Sequence, residues 1–263
     1  MKRDLLRQFT VIFTTIYALV LNGAANALPL NGRNTGAISD TFNVLFVPAG
    51  YVFAIWGVIY LALLAYTLYQ ALPAQRANPR LRRTGWLVAV SSLLNGTWIV
   101  FWHFGVFSYM ASLVTMLALL GVLVAIYLRL DIGRASFTIA EKWAVALPFS
   151  IYLGWITVAT IANLEDVLSL VWDGRPLNPT LWTLILLAAG VAIGAAVAFT
   201  RRDVAYNLVL VWAFAGISMR WLGLPVLDWA GFAAAGLVLV ALAASLLPGL
   251  RRSEAVLSRA GAR

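Results

Sequence analysis

Three tryptophans lie at similar depth in three different apolar segments of this 263-residue chain, and each has polar companions at helical spacing. The three are Trp56, Trp98 and Trp155. Tyr60 follows the first tryptophan by four residues and Asn95 precedes the second by three, so each pair shares one helix face. Asn163 follows the third by two helical turns. Stacked rings with a few convergent N–H, O–H and amide groups suit the binding of a flat, mostly apolar molecule.

The same residues also have a purely structural interpretation. A buried indole or amide needs a hydrogen-bond partner where water is absent, so these groups could bond across helices and hold a bundle together without any ligand. Each tryptophan lies about 7 to 9 residues from the nearer end of its segment, or about 12 Å at 1.5 Å per residue. Both interpretations therefore predict that the three rings meet at one level.

The sequence offers little material for other chemistry. It contains no cysteine and one histidine, His103, and its ten acidic residues are scattered in loops or near segment ends. We therefore predict no catalytic residues, no metal site and no firmly implied cofactor. Because no nucleophile and base pair stands out, we do not expect an enzyme, although that question stays open. The net charge of +9 is explained by short loops beside an anionic membrane surface, and nucleic-acid binding is not expected.

The elements that position these residues are long apolar segments. The chain is 62% hydrophobic and 11% charged, and each segment approaches the ~20 residues that a helix needs to cross a bilayer. The runs lack the two-residue alternation of a membrane barrel. We predict an all-α integral membrane protein, an eight-helix transmembrane bundle in contact with lipid. The segments are residues 6–28, 47–72, 85–105, 107–128, 142–164, 180–199, 204–222 and 227–248.

The basic residues between these segments predict the topology. Of the 19 lysines and arginines, sixteen lie on one side and three, Arg33, Arg175 and Arg220, on the other. Because cytoplasmic loops retain positive charge, both termini are expected in the cytoplasm. The abundance of Arg, Ala and Leu is typical of a bacterial protein, so we expect a multi-pass protein of the bacterial cytoplasmic (inner) membrane.

The first 27 residues have two interpretations. Basic residues, an apolar run and Ala25-Asn26-Ala27 resemble a cleavable signal peptide. A retained first helix explains Asn22 and Asn26 better, because amides facing lipid would be costly. We favour retention, and cleavage stays open.

Two longer connections divide the chain. Residues 29–46 are long enough to fold over the mouth of the bundle as a lid, and residues 165–179 separate helix five from helix six. We predict a five-helix bundle at 1–165, three further helices at 166–249 and a basic cytoplasmic tail at 250–263. In the sixth helix Gly190 and Gly194 permit close helix approach, either within the chain or at the face of a homodimer.

Three motifs in the first five segments resemble those of the tryptophan-rich sensory protein, or translocator protein, family (TspO/MBR). The matching residues are Pro48, Ile55-Trp56 and Tyr60; Leu94-Asn95-Gly96-Thr97-Trp98 with Phe104-Gly105; and Tyr152-Leu153-Gly154-Trp155 with Asn163. They occur in the family's order over residues 1 to about 165. Helices six to eight have no counterpart in this five-helix family.

The resemblance implies a five-helix bundle whose pocket binds porphyrins, other tetrapyrroles or similar hydrophobic planar molecules. On this basis the sequence predicts a membrane sensor or regulator in which Trp56, Trp98 and Trp155 stack on the ligand. Tyr60, Asn95 and Asn163 complete the predicted ligand-binding set. The alternative is a small transporter or facilitator of hydrophobic molecules, although the absence of mid-helix carboxylates argues against proton coupling.

Overall fold

The computed structural model describes residues 2–28, 30–171 and 178–260. Within these ranges the chain forms eight long helices and no strand. The helices are α1 Lys2–Ala27, α2 Ile55–Ala71, α3 Pro79–His103, α4 Val106–Leu130, α5 Leu147–Val171, α6 Pro179–Arg201, α7 Val204–Arg220 and α8 Leu227–Ala260.

The helices have the length and polarity of membrane spans. Seven helical segments are long and apolar enough to cross a bilayer, and α7 is a shorter apolar helix. Large apolar side chains such as Phe13 and Leu61 are more than two-thirds exposed on the outer surface, which suits contact with lipid rather than water. The prediction of an all-α, multi-pass membrane bundle is confirmed.

The helices alternate in direction and pack both against neighbours in sequence and against more distant helices. α3 lies against α1 and α4, α5 against α4 and α7, and α8 against α6 and α7. One end of the bundle, the basic end, carries ion pairs such as Arg82 with Asp4 and Arg201 with Asp131. The other end, which we call the mouth, carries the connection between α1 and α2.

Glycines allow α6 and α7 to approach their neighbours closely. A side chain at Gly154 of α5 would collide with the backbone of Tyr206 on α7. Gly190 and Gly194 of α6 face Phe214 and Leu210 of the same helix α7. The glycine pair is therefore used for packing within the chain, one of the two interpretations that the sequence allowed.

A buried polar cluster joins α5 and α7 at the basic end. Asp203 precedes α7 and its side chain accepts hydrogen bonds from the Tyr206 backbone at 3.1 Å, from the Tyr127 hydroxyl at 2.9 Å and from the Ser150 hydroxyl at 2.7 Å. The Tyr206 hydroxyl in turn lies 3.0 Å from the Thr157 hydroxyl. The last three helices are thus bonded directly to the first five.

Two helix boundaries differ from the sequence prediction. α2 begins at Ile55 rather than near 47, because the Ala49 amide bonds to the carbonyl of Gly216 on α7 at 2.9 Å and residues Gly50–Ala54 form a 3-10 helix. α5 continues to Val171, so the connection predicted to start at residue 165 begins later. Residues 172–177 of that connection, including Arg175, lie outside the described residues.

Candidate functional site

The three predicted tryptophans meet near the mouth. The ring of Trp56 stacks on that of Trp98 with centroids 6.1 Å apart and meets the ring of Trp155 edge-on at 6.1 Å. All three side chains are more than nine-tenths buried. Helices α2, α3 and α5 each contribute one ring, as the shared depth in the sequence predicted.

A fourth tryptophan extends the cluster toward the mouth. Trp102 lies one turn beyond Trp98 on α3, and their rings stack with centroids 5.6 Å apart. Phe42, from the connection between α1 and α2, covers the outer side of Trp102 at 5.6 Å. Trp102 is buried, so it belongs to the interior of the bundle.

Tyr60 and Asn95 lie one turn deeper than the three rings. Tyr60 stacks beneath Trp56 at 5.4 Å. The carbonyl of Asn95 accepts a 2.8 Å hydrogen bond from Asn22 on α1, and its amide nitrogen faces the Tyr152 hydroxyl without a well-formed bond. Asn95 therefore connects α1 to α3, and neither it nor Tyr60 belongs to the wall of the cavity described next.

A cavity of about 40 Å³ lies between the tryptophan cluster and the mouth. Its wall includes Trp56, Trp98, Trp155 and Asn163 of the predicted set. This volume has room for about three water molecules, whereas cavities that hold drug-sized ligands measure about 300–1,000 Å³. The cavity in the structure is therefore too small for a ligand of that size. The full wall consists of Thr35, Ser39, Pro48, Phe53, Trp56, Trp98, Trp102, Trp155, Val158, Ala159, Ala162, Asn163 and Asp166.

One face of α5 supplies the polar end of this cavity. Asn163 exchanges hydrogen bonds of 3.3–3.4 Å with Ser112 on α4. Asp166 is 2% exposed, and its Oδ1 atom has no hydrogen-bond partner among the described residues. The sequence analysis missed this carboxylate because it assigned residue 166 to a loop. Asp166 lies eleven residues after Trp155, which corresponds to three helical turns. This spacing could have identified it from the sequence.

Two indole N–H groups at the cavity are also without acceptors. The Nε1 atoms of Trp98 and Trp155 are buried, and neither has a hydrogen-bond partner among the residues that the structure describes. An unsatisfied buried donor costs about 1–3 kcal/mol. The arrangement is therefore suited to a bound molecule that brings hydrogen-bond acceptors to these two donors.

The connection between α1 and α2 closes the mouth. We call residues 30–54 the lid; it contains a short helix, Thr35–Ser39. The Trp102 indole donates to the carbonyl of Thr35 at 3.2 Å, and the Phe46 amide donates to the Glu165 carboxylate at 3.1 Å. The prediction that this connection folds over the bundle is confirmed.

Helix α7 holds the opposite side of the lid. The indole of Trp221, the residue that follows α7, donates to the carbonyl of Leu45 at 2.8 Å, and Trp212 donates to the carbonyl of Val52 at 3.1 Å. Arg220 forms an ion pair with Asp40 at 2.7 Å. The sequence analysis did not identify this contribution of α7 to the mouth.

In the described ranges, no group of three or more His, Asp or Glu side chains could hold a metal ion. Comparison with curated proteins and with solved structures gave no match. A family model described as TSPO-like protein matches residues 8–244. The match runs through α6 and α7 and about half of α8 as well as the first five helices, and it supports a sensor- or transporter-type role in a membrane. The chain belongs to the TSPO-like protein family.

Proposed function

We propose that this protein is a membrane sensor or regulator that binds a flat hydrophobic molecule in the cavity beneath the lid. The observation that carries the proposal is the pair of buried indole N–H groups, on Trp98 and Trp155, that have no acceptor beside the cavity. A cluster that served only to hold helices together would be expected to satisfy these donors internally.

Binding requires the lid to move. The closed cavity of about 40 Å³ is too small for a ligand with several rings, which needs at least about 300 Å³. Because side chains from the lid, including Thr35 and Phe53, form part of the wall, displacing the lid enlarges the cavity. Lid opening and closing would then report ligand occupancy to the surface of the bundle.

The specific ligand class that we propose is the tetrapyrroles, including porphyrin and haem-like molecules. Family membership and the motif match support this choice. So does the presence of the Trp56, Trp98 and Trp155 rings in the cavity wall, because aromatic side chains suit contact with a planar, mostly apolar macrocycle.

Tryptophan fluorescence of the purified protein tests this proposal. Titration with protoporphyrin should quench the fluorescence saturably. Trp155→Phe retains an apolar ring but removes the N–H group and some stacking area. Since stacking is worth ~1–3 kcal/mol per ring, affinity should fall about tenfold.

Trp143→Phe is the matched control, because Trp143 is 65% exposed and lies at the basic end. It should bind like the parent protein. An equal loss of protoporphyrin affinity in both variants would show that the tryptophan cluster is not the binding site. Absence of saturable quenching by protoporphyrin and by haem would reject tetrapyrroles as ligands.

A small transporter is the second candidate, and Asp166 is the observation that favours it. Buried carboxylates in membrane helices often line substrate or proton pathways, and the sequence argument against coupling relied on their absence from helix interiors. Uptake of a fluorescent porphyrin into proteoliposomes, faster than into empty liposomes, would support transport. Binding without uptake would support the sensor.

We further propose that the protein lies in the bacterial inner membrane with both termini in the cytoplasm. An even number of long helices, eight in the described ranges, would return the chain to the side of the membrane on which it starts. This is also the end where the charged loops cluster, as expected for a cytoplasmic side.

A further inference from the structure

We propose that a phospholipid with an anionic headgroup binds on the outer surface of the bundle, between α5 and α7 at the basic end. Its phosphate lies beside Lys142 and Arg202, and an acyl chain lies in an apolar groove that continues from there along α7. The site is separate from the cavity beneath the lid, and neither site requires the other.

The headgroup end is a cavity of about 640 Å³ at the basic end. Lys142 and Arg202 lie in its wall, both residues are exposed, and neither has an ion-pair partner among the described residues. Two unpaired cations beside one opening are suited to a phosphate group. The wall consists of Ile132, Gly133, Ala135, Phe137, Lys142, Ala146, Leu147, Ser150, Arg202, Asp203, Val204, Ala205 and Leu208.

One carboxylate, that of Asp203, occurs among the described residues of this wall. Asp203 is 7% exposed, and its side chain accepts hydrogen bonds from the Tyr206 amide and from the hydroxyls of Tyr127 and Ser150. These donors offset much of the carboxylate charge. Two cations and one carboxylate leave the wall with a formal charge of +1, which favours a net-negative headgroup over a zwitterionic one.

The acyl end is a groove of about 550 Å³ between α2, α5 and α7. Leu147, Ala205 and Leu208 line both the groove and the cavity, so the two form one continuous depression. Val58, Leu208 and Trp212 are between 41% and 51% exposed, so the groove opens toward lipid. No ionisable side chain occurs among the described residues that line it, and burying an apolar chain there is favourable.

The groove has the depth of one leaflet. Ala205 and Trp212 are seven residues apart on α7, which corresponds to about 10 Å along the helix. One leaflet contributes about 15 Å of the ~30 Å hydrocarbon core. A lipid whose phosphate lies at the basic end therefore has most of its chain depth in contact with this groove.

Native mass spectrometry of the full-length protein, purified in an uncharged maltoside detergent, tests the site. Phosphatidylglycerol and phosphatidylcholine with identical acyl chains are added separately, and the dissociation constant of the first bound lipid is measured for each. A basic residue near a membrane surface strengthens the binding of anionic lipid about fivefold. With two basic residues and one hydrogen-bonded carboxylate, phosphatidylglycerol should bind about tenfold more tightly than phosphatidylcholine.

Lys142→Gln combined with Arg202→Gln should remove this preference and leave the affinity for phosphatidylcholine unchanged. Lys2→Gln combined with Arg83→Gln is the matched control. It removes one lysine and one arginine from exposed positions at the basic end that do not line the cavity. The control variant should retain the preference for phosphatidylglycerol.

Ala205→Phe tests the groove, because the added ring fills the section that the groove shares with the cavity. It should weaken the binding of both lipids about tenfold, which corresponds to the lost burial of about two methylene groups. Ala192→Phe adds the same ring at an exposed position of α6 that does not line the groove, and it should leave both affinities unchanged. If Ala205→Phe does not fold, the charge variants and the preference of the parent protein still decide.

Equal affinity of the parent protein for the two lipids would overturn the proposal, and so would an equal loss of preference in the two charge variants. Glycerol 3-phosphate carries the phosphate without acyl chains and should bind far more weakly than phosphatidylglycerol. Equally tight binding would assign the cavity to a soluble phosphate compound instead. A detergent-solubilised dimer that Ala205→Phe converts to a monomer, with lipid binding unchanged, would assign the groove to a second copy of this chain.

Discussion

The attachment of the lid to α7 gives the most direct test of how the pocket opens. Trp221→Phe keeps an aromatic ring but removes the 2.8 Å hydrogen bond to the Leu45 carbonyl. A net hydrogen bond of this kind contributes about 1 kcal/mol. Arg220→Gln removes the ion pair with Asp40, whose side chain is 52% exposed, so this change adds at most about 1 kcal/mol.

Together the two changes should destabilise the closed lid by about 1.5 kcal/mol, and the open population should rise about tenfold. Hydrogen–deuterium exchange measures this population. The Ala49 amide, bonded to the Gly216 carbonyl at 2.9 Å, should exchange about tenfold faster in the double variant, because it is released when the lid leaves α7.

The control is Trp229→Phe, since Trp229 is 58% exposed near the start of α8. Exchange of the lid amides should be unchanged in that variant. If the double variant also leaves exchange at residues 46–52 unchanged, α7 does not hold the lid closed. If lid opening limits ligand entry, the double variant should also bind protoporphyrin faster.

Three further predictions address the bundle and its orientation. Asn95→Ala should lower the stability of the ligand-free protein by about 0.6 kcal/mol, because it removes the 2.8 Å hydrogen bond from Asn22. Thermal denaturation measures this change. Unchanged stability would contradict the assignment of Asn95 to helix packing. Gly154→Val should destabilise the protein by about 1–3 kcal/mol, since a side chain there meets α7, whereas Gly121→Val on α4 has open space and should be tolerated. A reporter that is active only in the periplasm should give no signal when fused after residue 263, and a strong signal there would refute cytoplasmic termini.

The helices could be predicted from the sequence because the bilayer imposes a length on each apolar run. Their boundaries were harder to predict because tertiary contacts decide them. The apolar run at 47–72 is continuous in the sequence, yet its first residues belong to the lid, since the Ala49 amide bonds to the Gly216 carbonyl on α7. Such a contact between positions far apart in the chain leaves no local signal.

The tryptophan part of the candidate site could be predicted from the positions of its residues in the apolar segments. Trp56, Trp98 and Trp155 share a depth, and the structure brings their rings together. Asp166 was missed because acidic residues after an apolar run are typical of a loop. In the structure the helix continues past it, and the neighbouring Glu165 accepts a hydrogen bond from the lid at Phe46.

The contribution of α7 explains why the mouth needs more than the first five helices. α1, α3 and α5 contact one side of the lid, and α7 provides the carbonyl, indole and guanidinium groups that hold the other side. α7 in turn is fixed to α5 by the close approach at Gly154 and by the buried cluster around Asp203. A movement of α7 relative to α5 would therefore act on the lid and on the polar cluster at the basic end together. For the proposed function, this connection provides a physical route from the mouth to the opposite side of the membrane.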